Sequence, residues 1–228
     1  MNKFIPTIVS RPQSSNLMNV LVPVIAVILT LLTGSIIFSI MGFNPFFALH
    51  TFFISPISTS YGISELLVKA TPLALIAIGL AFCFKNNIYN IGAEGQLTMG
   101  AIFGGGIGIY FYDTNAFWLL PLMILGGAIG GALWAMIPAL LKTKFNTNEI
   151  LTSLMLVYVA LLILDYLVVG PWKDPLGYSF PKTRQFSESG RMPLLFSGLR
   201  VHFGLIITLV LIFFSWFIFS KTIFGFQL

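Results

Sequence analysis

Residues 17 to 41, LMNVLVPVIAVILTLLTGSIIFSIM, run for 25 positions without a charged side chain. A stretch that apolar and that long can cross a hydrocarbon core of about 30 Å, which needs roughly 20 helical residues. Inside lipid the backbone must satisfy its own polar groups, so the run has to be a helix. Comparable runs recur along the chain. Only 8% of the 228 residues are charged, against about 25% in soluble domains. The expected fold class is therefore an all-α, polytopic integral membrane protein, a helical bundle of about six spans in one transmembrane domain covering residues 1–228.

The spans are expected at about Leu17–Met41, Thr71–Phe84, Leu97–Tyr112, Phe117–Leu141, Ile150–Val169 and Val201–Ser220. The first follows Lys3 and Arg11. It is too long for a signal-peptide core and has no small-residue cleavage site, so it reads as a retained helix. Residues 42–70 read as an aromatic, Pro-interrupted connection at the outer interface, with His50 as an interfacial histidine. Thr71–Phe84, bounded by Lys69 and Lys85, is short for a crossing. With Leu97–Tyr112 it reads as a discontinuous or re-entrant pair around a polar break. Gly126, Gly127, Gly130 and Gly131 repeat at i, i+4, giving a smooth strip for close helix packing. Lys142 and Lys144 mark a short inside loop. Thr147 or Asn148 caps the following helix, with Glu149 favourably placed in its first turn. Residues 170–200 form a Pro- and Gly-punctuated external loop.

The net charge of +5 comes from twelve basic residues scattered in ones and twos, which suits loops of a membrane protein and not a nucleic-acid surface. Two lysine or arginine sets of six fall on the expected inner and outer sides, so charge counting does not settle orientation; the cytoplasmic N-terminus rests on Lys3, Arg11 and the short loops. Cys83 is the single cysteine, inside an apolar run, and reads as a small buried hydrophobe; there is no thiol pair for a disulfide or metal cluster. No phosphate-binding loop of the G-x-x-x-x-G-K-[ST] type occurs. His50 and His202 lie far apart, and no two carboxylates are near enough in sequence to suggest an acid/base pair. Neither catalysis nor a metal or other cofactor is expected.

The stretch NNIYNIGAEGQLTMGAIFGGG, residues 86–106, places Asn86, Asn87, Asn90, Glu94 and Gln96 within eleven positions. One reading is a solvated loop whose amides cap helix ends. The other starts a helix at Gly92 inside the bundle, so that Asn90, Gly92, Glu94 and Gln96 line a polar path and the glycines at 104–106 let neighbours close around it. Asp165 is either a second buried acid or an interfacial residue near its helix end.

NIYNIGAEGQLTMGA, residues 88–102, resembles the signature stretch of permease subunits of bacterial ABC importers for simple sugars and nucleosides, those served by basic-membrane-protein-type binding lipoproteins. LVKATPLALIAIGLAFCFK (67–85), KTKFNTNEILTSLMLVYVA (142–160) and GPWKDPLGYSFPKT (170–183) agree with that family in order. The resemblance implies an inverted-repeat helical permease of the bacterial cytoplasmic (inner) membrane. It further implies a second permease subunit, a cytoplasmic ATP-binding subunit that hydrolyses ATP, and an extracytoplasmic substrate-binding protein. The loop matching residues 88–96 would lie by the translocation path, and Lys142, Asn148 and Glu149 would form a minor contact on the ATPase side, where helix capping is the competing explanation. Two departures stand out. The family's cytoplasmic coupling helix follows the segment like FGFQL, so the chain is expected to be a fragment lacking that helix and later spans. Val157 stands where the family often has Asn. Two rival functions remain for the same residues: an ion-coupled secondary transporter, and a membrane scaffold without cargo.

Overall fold

In a computed structural model, the chain is helical throughout its regular structure and contains no strand among the described residues, which are 16–178 and 180–227. Lys3, Arg11 and Leu228 lie outside them, as does the N-terminal side of the orientation argument. The helices are α1 (Asn16–Ile40), α2 (Pro45–Phe53), α3 (Ser55–Ser58), α4 (Ser60–Lys85), α5 (Ala93–Tyr110), α6 (Leu119–Phe145), α7 (Glu149–Val169), α8 (Gly204–Lys221) and α9 (Ile223–Gln227). Five of them, α1, α4, α6, α7 and α8, are long and apolar enough to cross a membrane. The chain divides into two compact units, one ending at Ile63 and the other running from Ser64.

In the first unit, α1 exposes apolar side chains all round. Its hydroxyls turn back onto its own backbone: Thr30 donates to the Ala26 carbonyl and Thr33 to that of Leu29, each at 2.8 Å. That is how a polar side chain is carried into lipid without an orphaned donor. The 42–70 connection is more ordered than expected. Asn44 caps α2, its Oδ1 accepting from Phe46 N at 3.0 Å and Phe47 N at 3.3 Å. Phe38 and Phe52 then stack with ring centroids 6.5 Å apart.

The second unit holds the sequence's polar break. Its centre is the packing of α5 against α6 and α7, with Met99, Ile102 and Ala160 buried and Trp134, Leu164 and Trp172 partly buried around them. Trp134 Nε1 donates to the Leu156 carbonyl at 3.3 Å, tying α6 to α7. The expected glycine strip lies in the α5–α6 seam. A Cβ on Gly104 would stand 2.7 Å from the Met123 carbonyl oxygen, and one on Gly100 would stand 2.9 Å from that of Gly127. Main chain meets main chain there, a distance only glycine permits.

Two boundaries differ from expectation. Thr71–Phe84 is not a short segment, because α4 starts eleven residues earlier, at Ser60, and runs 26 residues. Lys69 looked like a limit, but near the end of a crossing helix charge is tolerated when it is paired or reaches the interface. Glu65 is met by Arg200 at 3.2 Å. Of the supposed short pair only α5 is short, at 18 residues. Lys142 and Lys144 likewise lie in the last turn of α6, not in a loop, where cations complement the helix dipole; Asn146, with φ 52°, ends the helix in the left-handed region.

Candidate functional site

The polar island begins where α4 ends. Asn86 N and Ile88 N both reach the Cys83 carbonyl at 3.0 Å, and Asn86 Nδ2 donates to the Phe82 carbonyl at 2.9 Å. Asn87 takes φ 56°, a left-handed conformation that asparagine tolerates better than most residues. Asn86 and Asn87 are thus exposed turn formers, and for them the solvated-loop reading holds.

Asn90 and Gln96 behave differently. Asn90 Nδ2 donates to Gln96 Oε1 at 3.1 Å, and Gln96 Nε2 donates back to Asn90 Oδ1 at 3.2 Å. The same Oδ1 accepts from Gly92 N at 3.0 Å, an Asx-type turn that delivers the chain to the start of α5. Gly92 is buried at this junction: a Cβ there would stand 2.8 Å from Ser153 Cβ on α7. Ser153 Oγ accepts from Ile91 N at 3.3 Å and donates to the Ile150 carbonyl at 3.3 Å, so it fastens the break to α7.

Two cavities meet at the amide pair. One, of about 260 Å³, is lined by Asn90, Gln96, Lys142, Thr143, Glu149 and Ser153 with apolar neighbours from α4 and α6. The other, of about 530 Å³, lies among α4, α5 and α6, and its only amide or charged wall residues are again Asn90 and Gln96. Cys83 and Ala135 also belong to both. The larger falls within the size range of small-molecule sites. Lys142 Nζ donates to Glu149 Oε1 across the α6–α7 turn, so the two residues set apart in the sequence as an ATPase-side contact line the same cavity as Asn90 and Gln96. Asn148 is the N-cap of α7, its Oδ1 accepting from Ile150 N at 2.9 Å and Leu151 N at 3.4 Å. Thr147 does not share that role.

Glu94 is in the first turn of α5 but exposed and lines neither cavity; its carbonyl accepts from Thr98 Oγ1 at 2.9 Å, while its carboxylate has no hydrogen-bonded or ionic partner among the described residues. Asp165 is exposed on α7, near its C-terminal end, and is not a buried acid. Cys83 departs from the small buried hydrophobe expected: it is only partly buried, because both cavities open onto it. Ser153 was missed altogether. Its spacing of four from Glu149 would have placed the two on one helical face. Among the described residues no three histidine, cysteine or acidic side chains gather as metal ligands.

A helical bundle with five helices long and apolar enough to cross a membrane and a glycine-packed core is the architecture of a multi-pass membrane protein. The family model for the branched-chain amino acid transport system / permease component matches residues 62–228, and the chain belongs to that family. It is similar to the glucose ABC transporter permease protein of Haloferax volcanii, 34% identical over 216 residues. It is also similar to the guanosine ABC transporter permease protein of Bacillus subtilis, 32% identical over 217 residues, and to the nucleoside ABC transporter permease protein of Lactococcus lactis, 29% identical over 216 residues. These alignments cover 90%, 93% and 92% of this chain but 56%, 61% and 59% of the relatives, so the chain spans somewhat over half the length of the proteins it matches. No solved structure is significantly similar.

Proposed function

We propose that the chain is a transport subunit of an ATP-binding-cassette importer that moves nucleosides or simple sugars across the bacterial cytoplasmic membrane. ATP is hydrolysed on a separate cytoplasmic subunit, a second permease completes the path, and an extracytoplasmic binding protein delivers the cargo. The observation that carries this reading is the Asn90–Gln96 pair at the meeting point of two cavities in a bundle whose other surfaces are largely apolar. Partly buried carboxamides facing two cavities supply the donors and acceptors that a polar solute needs. Similarity to permeases named for glucose, guanosine and nucleosides supports the cargo class. Asn90 and Gln96 contact the solute, Gly92 allows the approach to α7, and Glu94 serves at the mouth of the path. Lys142, Asn148 and Glu149 face the ATPase side.

Uptake into membrane vesicles carrying the full-length protein and its partners tests this. Labelled nucleoside or glucose is expected to accumulate only with ATP, and Asn90→Leu is expected to lower uptake at least tenfold at an unchanged membrane level, since it leaves Gln96 and Gly92 N unpaired. Uptake that ignores ATP and collapses with an ionophore alone establishes an ion-coupled carrier instead. Lost subunit assembly with no cargo of either class establishes a scaffold.

A further inference from the structure

We propose that Asn90 and Gln96 form a self-satisfied amide dimer that the solute opens, and that the pair thereby prefers a planar ring with an adjacent N–H donor and C=O acceptor, a lactam edge, over a solute whose polar groups are all hydroxyls. This rests on the transport reading above and names the residues that discriminate among its cargoes.

The argument starts from the closed hydrogen-bond ring. Each carboxamide presents one donor and one acceptor to the other, at 3.1 and 3.2 Å. A lactam edge carries the same two groups, side by side and pointing the same way. It can take Gln96's place against Asn90 and make the same two hydrogen bonds there, so opening the pair costs only what the displaced Gln96 carboxamide loses. Gln96 is the arm that moves. Asn90 is tethered to the backbone through the Gly92 N–H at 3.0 Å, whereas among the described residues the side chain of Gln96 bonds only to Asn90.

The larger cavity offers no amide or charged side chain besides Asn90 and Gln96. A sugar entering it brings hydroxyls on several sides and finds partners for few of them, and buried polar groups without partners are costly. The wall of the larger cavity on α6 is made of Gly127, Ala128, Gly131 and Ala132, with Gly79 on α4. With Leu75, Ile76, Leu80 and Leu97 they give the cavity an apolar wall on which the faces of a ring can lie while its polar edge meets the amides.

Cys83 supplies the readout, because it is the only cysteine in the chain and lines both cavities. Its alkylation by N-ethylmaleimide is followed in membranes holding the full-length protein with its partners, with Cys83→Ser subtracting other thiols. The solutes are inosine, which has the lactam N–H, 1-methylinosine, in which that donor is blocked, and glucose. Inosine is expected to protect Cys83 at concentrations about tenfold or more below those needed with the other two, the effect of one buried donor–acceptor pair left unmade. Asn90→Asp keeps the side chain's shape and loses the donor that meets the lactam carbonyl, and is expected to erase the preference; Gln96→Asn changes only the displaced arm and is expected to retain it. Equal protection by glucose and inosine, or an undiminished preference in Asn90→Asp, overturns the assignment. Protection by none of the three while ATP-driven uptake proceeds also overturns it and leaves the transport reading standing, whereas absence of ATP-driven uptake for both cargo classes sinks the transport reading itself.

Discussion

Gly104 is where a single methyl group should do most damage. A Cβ there would stand 2.7 Å from the Met123 carbonyl oxygen on α6 and 3.5 Å from Gly127 N and Cα. The first contact is about 0.7 Å short of ordinary van der Waals distance, and the obstacle is backbone, which cannot swing aside as a side chain does. Helix α6 must therefore move bodily, and overpacking of this kind costs about 1–3 kcal/mol. A matched control is at hand. Gly79 on α4 has nothing within 4 Å of where its Cβ would be. Both Gly→Ala changes gain about 1 kcal/mol of helix propensity, so the difference between them isolates the collision. At about 2–4 °C per kcal/mol for a domain of this size, Gly104→Ala should melt several degrees below Gly79→Ala. Thermal unfolding in detergent, followed by loss of the monodisperse peak in size-exclusion chromatography, measures this directly. Equal midpoints, or a more stable Gly104→Ala, would refute the account of the α5–α6 seam as backbone contact.

Other consequences are as concrete. Asn148→Ala removes the acceptor for Ile150 N and Leu151 N and should cost about 1 kcal/mol, with Asn148→Asp recovering most of it in the same melting assay. Arg200→Ala breaks the pair with Glu65 at 3.2 Å, but the arginine is mostly exposed, so the loss should stay below about 1 kcal/mol and therefore below that of the cap. Cysteines replacing Lys144 and Glu188 should react with an impermeant maleimide from opposite faces of a sealed vesicle, since α7 separates the two. Labelling of both from one face would contradict the span assigned to α7.

Much of the local structure was legible in the sequence because its causes are local. Asn148 before Glu149 and an apolar run announced the cap of α7, and the paired glycines at 126–127 and 130–131 announced a helix contact. The start of α4 was hidden for the opposite reason. Lys69 looks like the end of an apolar segment, yet the helix runs on to Ser60, with Glu65 met by Arg200 from 135 residues away. Lys142 and Glu149 were recognised singly, yet their pairing across a turn, and their place beside Asn90 and Gln96, depends on how four helix ends converge. The Asn90–Gln96 bond spans six residues from a turn into the start of α5, a spacing no helical or strand periodicity predicts. Cys83 and Ser153 carry no sequence mark of their own; what distinguishes them is the space next to them.

Main chains in direct contact leave nothing between them to rearrange, so α5 and α6 should turn as one stiff lever. On the other side of the larger cavity, α4 is held to the α8–α9 end by side chains alone: Phe82 against Phe219 with centroids 4.3 Å apart, and Lys85 Nζ on the Gly225 carbonyl at 2.6 Å. Rotamers can yield where backbones cannot. Any movement that widens the larger cavity should therefore be taken up at this compliant side.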